Sequence, residues 1–239
     1  PSAFAVKGAG LFTASSEKIA GTLRDIVCSS MFIRYNADRM GRIATLNKRQ
    51  SDFINNWESE AFRKKLAGGA GGGAEVAGKV AVVTGAGSGL GRSIAVGLAK
   101  EGALVALADI DTAAAGDTAD MINEQGSGGA AMVAGCDVTN EESVSSAIWG
   151  IVERWGGLDV VVNAAGVAPA YAVEDTPVDK WRFALEVNLT GYMLMVKYAA
   201  RVMKAQGMGG SIVNISSKSG IQASKNNSAY NATKAGELH

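Results

Sequence analysis

Residues 79–91 read KVAVVTGAGSGLG, and the fold is decided here. Lys79–Thr84 is a short run rich in β-branched residues, the composition of a buried strand. Glycines then occupy alternate positions, at Gly85, Gly87, Gly89 and Gly91, and a helix is predicted over 89–101. A strand, a glycine turn and a helix in that order let the backbone approach a pyrophosphate closely. The helix N-terminus then offers free N–H groups and the positive end of its dipole. A glycine-rich turn alone is weak, because turns need glycine anyway; its flanking strand and helix give it meaning.

Downstream, apolar strands alternate with amphipathic helices. Strands are predicted at Leu104–Ala108, 131–134, Leu158–Val162 and Ser211–Ile215. Helices are predicted near 112–125, 140–155, 178–205 (one long element) and from Ser228 onward. Such alternation implies a doubly wound, Rossmann-like α/β fold, a parallel sheet with helices on both faces. The second strand ends at Asp109, eighteen residues after Gly91. A carboxylate there accepts both ribose hydroxyls of an adenosine and repels a 2′-phosphate. Ile110 and Asp111 follow it, and Ser88 stands in the glycine loop, so no basic side chain is at hand for that phosphate. The expected cofactor is NAD. The alternative is that Asp109 only caps the next helix, a job for which Asp111 is better placed.

Upstream, residues 67–74 read AGGAGGGA, too glycine-dense for helix or strand, and separate 1–66 from the rest as a linker. Within 1–66, Ala3–Val6 is a candidate strand before a turn at Gly8-Ala9-Gly10, with helices expected near 16–35 and 50–66. Three parts are thus expected: 1–66, a linker at 67–77, and a nucleotide-binding domain at 78–239.

Composition narrows the chemistry. Across 239 residues, 23 basic side chains balance 23 acidic ones, which gives no reason to expect a nucleic-acid surface or a polybasic membrane anchor. Cys28 and Cys136 stand far apart and form no zinc or disulfide framework. The only histidine is His239, so the chain holds no internal Ser-His-Asp or multi-histidine metal site. No apolar run reaches the ~18 residues of a membrane span. The first residue is Pro1 and the last helix lacks a stop signal, so both ends read as cut.

Over roughly 78–239 the chain resembles the short-chain dehydrogenase/reductase family. Thr84–Gly91 fits that family's Thr-Gly-x-x-x-Gly-x-Gly loop, with Gly85, Ser88, Gly89, Leu90 and Gly91 at the cofactor. Asp137-Val138 matches its adenine-contacting pair. Asn163-Ala164-Ala165-Gly166 matches its Asn-Asn-Ala-Gly turn, with Ala164 replacing the second asparagine. Asn188, Ser217, Tyr230 and Lys234 match its catalytic set. The resemblance implies hydride transfer between NAD(H), held also by Asp109 and Ile110, and a small hydroxy, carbonyl or polyol substrate.

The residue chemistry is coherent with that. Tyr230 and Lys234 are one helical turn apart and share a face. A free phenol titrates near ~10 and is a poor base at neutral pH, but a neighbouring ammonium favours the phenolate. The resemblance gives Lys234 a bond to the nicotinamide ribose and Ser217 a bond to the substrate oxygen. It has Asn188 bind a water leading to solvent. Only one of Ser216 and Ser217 can face the site, since adjacent strand residues point to opposite faces. Ser217, thirteen residues before Tyr230, has the family's spacing and is preferred. For Asn188 the alternative is a buried amide satisfied by neighbouring backbone.

The stretch from Val6 to Ser15 resembles the end of class II aldolase domains, which occur fused ahead of short-chain dehydrogenases, and Phe53–Glu58 resembles the connector in those fusions. The metal-binding histidines of such domains are not in this chain. Met203–Ile212 and Lys234–His239 resemble the dehydrogenase half of rhamnulose-1-phosphate aldolase/lactaldehyde dehydrogenases. Ser217–Gly220 and Ser224–Tyr230 resemble sorbitol-6-phosphate 2-dehydrogenases, where Lys218 and Lys225 would attract a phosphorylated polyol. The alternative for both lysines is a solvated loop. In the family two further strands and a substrate loop follow the catalytic helix, so the sequence reads as part of a bifunctional, cytoplasmic, homo-oligomeric enzyme of bacterial sugar catabolism. The competing readings are a catalytically silent NAD-binding module and an inactive piece of such an enzyme.

Overall fold

The computed structural model describes residues 76–124 and 130–239, together with the backbone of two strands near the N-terminus. The chain divides into two compact units, Pro1–Ala74 and Glu75–His239. In the first, β1 (Ala3–Val6) pairs antiparallel with β2 (Gly10–Thr13), Ala3 facing Thr13. The strand expected at Ala3–Val6 is present, and β2 is a partner that the sequence reading did not anticipate. The helices expected near 16–35 and 50–66, and the linker over 67–74, lie outside the described residues.

The second unit is a parallel sheet of β3 (Val80–Thr84), β4 (Leu104–Asp109), β5 (Ala130–Gly135), β6 (Val160–Asn163) and β7 (Ser211–Asn214). Its spatial order is β5-β4-β3-β6-β7. The chain steps outward from β3 to one side and then returns to start the other side at β6. The carboxyl ends of β3 and β6 therefore flank a topological switch point, the place where this fold forms a crevice.

Strand alternation builds a core on each face. Val82, Ala106 and Ala108 point to one face and pack with Ile148, Ile151, Leu194 and Met195. Val83, Val105 and Leu107 point to the other and pack with Ala95, Ala115 and Ile122. Two helices cover each face: α3 (Glu141–Trp155) and α5 (Gly191–Gln206) on the first, α1 (Gly89–Lys100) and α2 (Thr112–Glu124) on the second. Fully burying each Val, Leu or Ile contributes roughly 1.5–3 kcal/mol, so this two-sided packing is the main stabilising term.

Local signals explain the helix ends. Asn140 Oδ1 accepts from Ser143 N at 2.9 Å to cap α3, Glu141 and Glu142 sit in its first turn, and Gly156 ends it in the left-handed region at φ 83°. Asp111 Oδ1 accepts from Ala114 N at 3.0 Å and caps α2, as expected.

The long helical region expected over 178–205 is present as one uninterrupted helical run, with a π turn in its middle. α4 (Val178–Leu185) is followed by a π-helical turn, Glu186–Thr190, and then by α5. A π turn inserts one residue and rotates the side chains after it, a device that a 3.6-residue periodicity does not reveal. Here it carries Asn188, which is fully buried. The last element is α6 (Ser228–Leu238). No helix among the described residues is long and apolar enough to cross a membrane.

Candidate active site

The end of β3 is tied to the end of β6 through Thr84. Its Oγ1 accepts from Ala164 N and Ala165 N, both at 3.0 Å. The two carboxyl ends thus open together, and the glycine loop and the Asn163–Gly166 turn form opposite walls of the crevice. The loop has no room to spare. A Cβ on Gly85, which has φ +65°, would lie 2.9 Å from Ala165 Cα, and one on Gly91 would lie 2.1 Å from Gly85 O.

Arg92 braces the loop from behind. Its Nη2 donates to Gly87 O and, at 3.3 Å, to Ala114 O, while Nε donates to Thr118 Oγ1 at 3.0 Å. Asp109, at the end of β4, accepts from Gly87 N at 2.7 Å and from Asp111 N at 2.9 Å. Its carboxylate therefore faces the glycine loop, while capping α2 falls to Asp111.

A cavity of about 340 Å³ runs between these walls. Gly85, Ser88, Gly89, Leu90 and Gly91 line one side, and Ala164, Ala165 and Gly166 the other. Tyr230 and Lys234 close the far end together with Ile215 and Ser216. Ser88, the N-cap of α1, makes no side-chain capping bond, and the first turn holds no acidic residue. The helix therefore presents unsatisfied N–H groups to the cavity, a donor set that suits a pyrophosphate and, with Asp109 beyond it, the adenosine end of a dinucleotide.

Other expected residues sit around this cavity without lining it. Ile110 is exposed. Asp137 Oδ1 accepts from Thr139 N at 2.9 Å and Thr139 Oγ1 at 2.7 Å. Val138 packs against Gly191, where an added Cβ would meet it at 3.0 Å. Asn163 is fully buried; its Nδ2 donates to Asn214 Oδ1 at 2.9 Å and its Oδ1 has no partner. Asn188 Oδ1 accepts from Val167 N at 2.8 Å, and its Nδ2 donates to Val167 O at 2.8 Å and Thr233 Oγ1 at 3.1 Å. The amide is satisfied by backbone and one hydroxyl, the arrangement set out above as the alternative to a water site.

The two serines lie just past the end of β7 and diverge. Ser216 lines the cavity and its Oγ donates to Lys234 O at 3.0 Å. Ser217 Oγ accepts from Ser219 N at 3.1 Å and caps the short 3₁₀ turn Lys218–Gly220, so Ser217 does not line the cavity.

Lys234 is 3% exposed. Its Nζ lies 5.5 Å from the centre of the Tyr230 ring and 5.2 Å from that of Tyr192. It donates to Ile215 O at 2.8 Å, and to Glu237 Oε1 and Oε2 at 2.8 and 3.1 Å. Tyr192 Oη stands 3.5 Å away. Burial pushes the Tyr192 phenol above its ordinary range, and the charges of Glu237 and Tyr230 push it further. Burial also raises the Glu237 carboxyl, against the opposing pull of the Lys234 and Ser216 bonds.

Sequence reasoning missed Arg92, Tyr192 and Glu237, and it placed Thr84 in the loop motif without giving it a role. Only Glu237 had a local signal, because 230, 234 and 237 follow helical spacing along one face. A second cavity, of about 580 Å³, lies among the loops before Tyr230, lined by Tyr171, Glu174, Lys225, Asn226, Ser228 and Asn231 among others.

Comparison with known proteins agrees with this geometry. The short chain dehydrogenase family profile matches residues 79–239. The uncharacterized oxidoreductase YuxG of Bacillus subtilis is 36% identical over 203 residues, covering 85% of this chain and 29% of the relative. That match is longer than the family match and so extends into the N-terminal unit. Trans-4-hydroxycyclohexanecarboxylate dehydrogenase of Sinomonas cyclohexanicum is 44% identical over 165 residues (67% of this chain, 63% of the relative). Sorbitol-6-phosphate 2-dehydrogenase of Escherichia coli is 40% identical over 158 residues (66% and 61%). The chain thus spans less than two thirds of the length of each of these three relatives. Among solved structures, a short-chain type dehydrogenase/reductase from Mycobacterium marinum aligns with TM-score 0.65 at 36% identity, covering 69% of this chain and 66% of that one. NAD+-bound xylitol dehydrogenase aligns with TM-score 0.64 at 34% identity, covering 69% and 62%.

Proposed function

The chain belongs to the short-chain dehydrogenase family, and from that premise we propose that it carries an NAD-dependent oxidoreductase acting on a small hydroxy, carbonyl or polyol substrate. One observation carries the reading: a single cavity has the uncapped start of α1 at one end and the Tyr230/Lys234 pair at the other. Gly85, Ser88, Gly89, Leu90 and Gly91 would hold the pyrophosphate through backbone N–H groups, and the Asp137-Val138 pair would border the adenine. Asp109, with Ile110 beside it, would accept the ribose hydroxyls. Its carboxylate and the absence of a basic neighbour at Ile110 and Asp111 favour NAD over NADP. NAD supplies the hydride acceptor, or as NADH the donor. Asn163, Ala164, Ala165 and Gly166 would form the wall against the nicotinamide half.

Tyr230 would exchange the proton of the substrate hydroxyl through its phenol oxygen. Lys234, whose Nζ lies 5.5 Å from the centre of that ring, would hold positive charge beside it. Ser217 would orient the substrate oxygen, in which case its hydroxyl turns away from Ser219 N. Asn188, with its bonds to Val167 and Thr233 kept, would take a water of the proton path on the remaining lone pair of its Oδ1. The second cavity, lined by Lys225 and Asn226 among others, would suit a hydroxylated substrate with or without a phosphate. We assign the protein to the cytoplasm, as a homo-oligomer in sugar catabolism. We read 78–239 as its dehydrogenase domain and 67–77 as a linker after an aldolase-like segment at 1–66. The reach of the YuxG match beyond the dehydrogenase region supports that larger organisation.

The test is Tyr230→Phe in the full-length protein, assayed with NAD against a panel of polyols, polyol phosphates and lactaldehyde. Loss of acid–base catalysis lowers kcat by roughly 10²–10⁴-fold, with NADH binding retained. Turnover at the parental rate would refute the mechanism.

A further inference from the structure

The catalytic lysine has a buried counter-ion. Glu237 lies three residues beyond Lys234 on α6, and its side chain has no solvent exposure. Both carboxylate oxygens lie within hydrogen-bond reach of Lys234 Nζ, at 2.8 and 3.1 Å. The nearby Ser216 hydroxyl works with Lys234 to pull this carboxyl down against the effect of burial. With Ile215 O and Tyr192 Oη, Glu237 completes a cage that takes up the donors of the ammonium.

An ammonium facing Tyr230 alone would favour the phenolate strongly, because a buried charge is little screened. A carboxylate in contact with that ammonium cancels much of its field. The titratable groups around the pair are Tyr230 and Lys234 of α6 itself and Tyr192 of α5. Other elements packed on α6 bring Asp179, Lys180 and Arg182 of α4, Glu186 of the π turn and Lys218 of the 3₁₀ turn, and all five are solvent-exposed. The buried pair therefore dominates the field at Tyr230.

We propose that Glu237 is a positioning residue that holds Lys234 beside Tyr230 and, by partly neutralising it, sets the pH at which Tyr230 exchanges its proton. The proposal rests on the reading of Tyr230 as acid/base given above. It makes the working pH of this site a property of three residues at helical spacing, 230, 234 and 237, and not of a tyrosine–lysine pair alone.

The experiment uses the full-length protein without cofactor. Phenolate absorbance near 295 nm is recorded against pH, and subtracting the Tyr230→Phe curve isolates Tyr230. Glu237→Gln keeps size and an acceptor for Lys234 but removes the charge. The Tyr230 signal should then rise at a pH lower by about one unit or more, the shift expected for a unit charge a few ångström away at an effective dielectric of ~20. The acid limb of the kcat profile with NAD and the substrate panel should move the same way, with KM little changed. Glu237→Asp, which keeps the charge, should retain the parental profile. If the Gln variant does not fold, Glu237→Met, of similar length and uncharged, takes its place.

A Gln or Met variant that melts lower but titrates like the parent overturns the proposal, as does a shift in Asp equal to that in Gln. Parental turnover in Tyr230→Phe removes the acid/base reading and this proposal with it. That result is distinct from an inactive Tyr230→Phe accompanied by an unshifted Glu237→Gln.

Discussion

Gly91 and Gly97 lie on one helix, α1, and the structure assigns alanine opposite consequences at the two positions. At Gly91 a Cβ would stand 2.1 Å from Gly85 O, 2.6 Å from Gly85 C and 3.1 Å from Ala86 N. These are backbone atoms, so no rotamer change relieves the clash; either the loop or the helix must move by more than an ångström. The loop cannot retreat freely, because Gly85 already abuts Ala165 and Arg92 holds Gly87 O from behind. Overpacking of this kind costs about 1–3 kcal/mol, and at ~2–4 °C per kcal/mol for a domain of this size Tm falls by roughly 2–12 °C. The displaced N–H groups are those offered to the pyrophosphate, so NADH affinity should drop at least about tenfold, equivalent to ~1.4 kcal/mol. At Gly97 nothing lies within 4 Å of the added Cβ, and its φ is not positive. Alanine there removes only the entropic penalty of a mid-helix glycine and should stabilise by about 0.5–1 kcal/mol. Thermal melts and NADH fluorescence titrations on the full-length protein carrying each substitution are the assay. A Gly91→Ala protein that melts with the parent and binds NADH as tightly would refute the assignment of this loop as a rigid phosphate cradle. A destabilised Gly97→Ala would show that the packing around α1 is wrong.

Three further outcomes are expected. Asp109→Ser removes the carboxylate that accepts from Gly87 N and Asp111 N. NADH binding should weaken about tenfold, the ~1.4 kcal/mol of one charged hydrogen bond, while NADPH binding holds or improves; unchanged discrimination in parallel titrations would count against NAD specificity. Asn188→Ala strands the amide and carbonyl of Val167, each bonded at 2.8 Å in the native turn. Urea unfolding should show a loss of about 2–6 kcal/mol, from ~1–3 for each of the two unsatisfied groups, and a loss within ~0.5 kcal/mol, the range of an ordinary surface change, would contradict the buried amide role. Burial, reinforced by Asp137 and Asp109, pushes the Cys136 thiol up to about 11 from 9.0. A raised thiol value means less thiolate at a given pH, so at pH 8 iodoacetamide should label native Cys136 about 100-fold more slowly than an unperturbed thiol. Mass mapping of the Cys136 peptide against an unfolded control measures this.

What could be read from sequence was what short-range pattern encodes. The strands at Val80–Thr84 and Leu104–Asp109 announce themselves because both faces are buried and every residue must be apolar or small. The glycine loop announces itself because Gly85 and Gly91 occupy points where backbone meets backbone and no side chain fits. Asp111 could be separated from Asp109 because a cap must stand directly before the first helical turn. What stayed hidden depends on partners distant in the chain. The π turn at Glu186–Thr190 shifts the helical phase within a single turn, too short a stretch to read from hydrophobic pattern, and it places Asn188 on Val167, 21 residues away. Arg92 looked like an ordinary helix residue until the fold brought Thr118, 26 residues away, beneath the glycine loop. Glu237 belongs to neither class. Its spacing from Tyr230 and Lys234 is visible in the sequence. An acidic residue on a helix is ordinarily solvated, so spacing alone could not distinguish a surface charge from a buried counter-ion. Its complete burial against Lys234 makes that distinction. Isolated buried carboxylates are costly, and one that persists beside a buried ammonium is held by the geometry of the pair. Three residues at helical spacing thus meet in one place, the Lys234 ammonium standing between the Tyr230 ring and the buried Glu237 carboxylate.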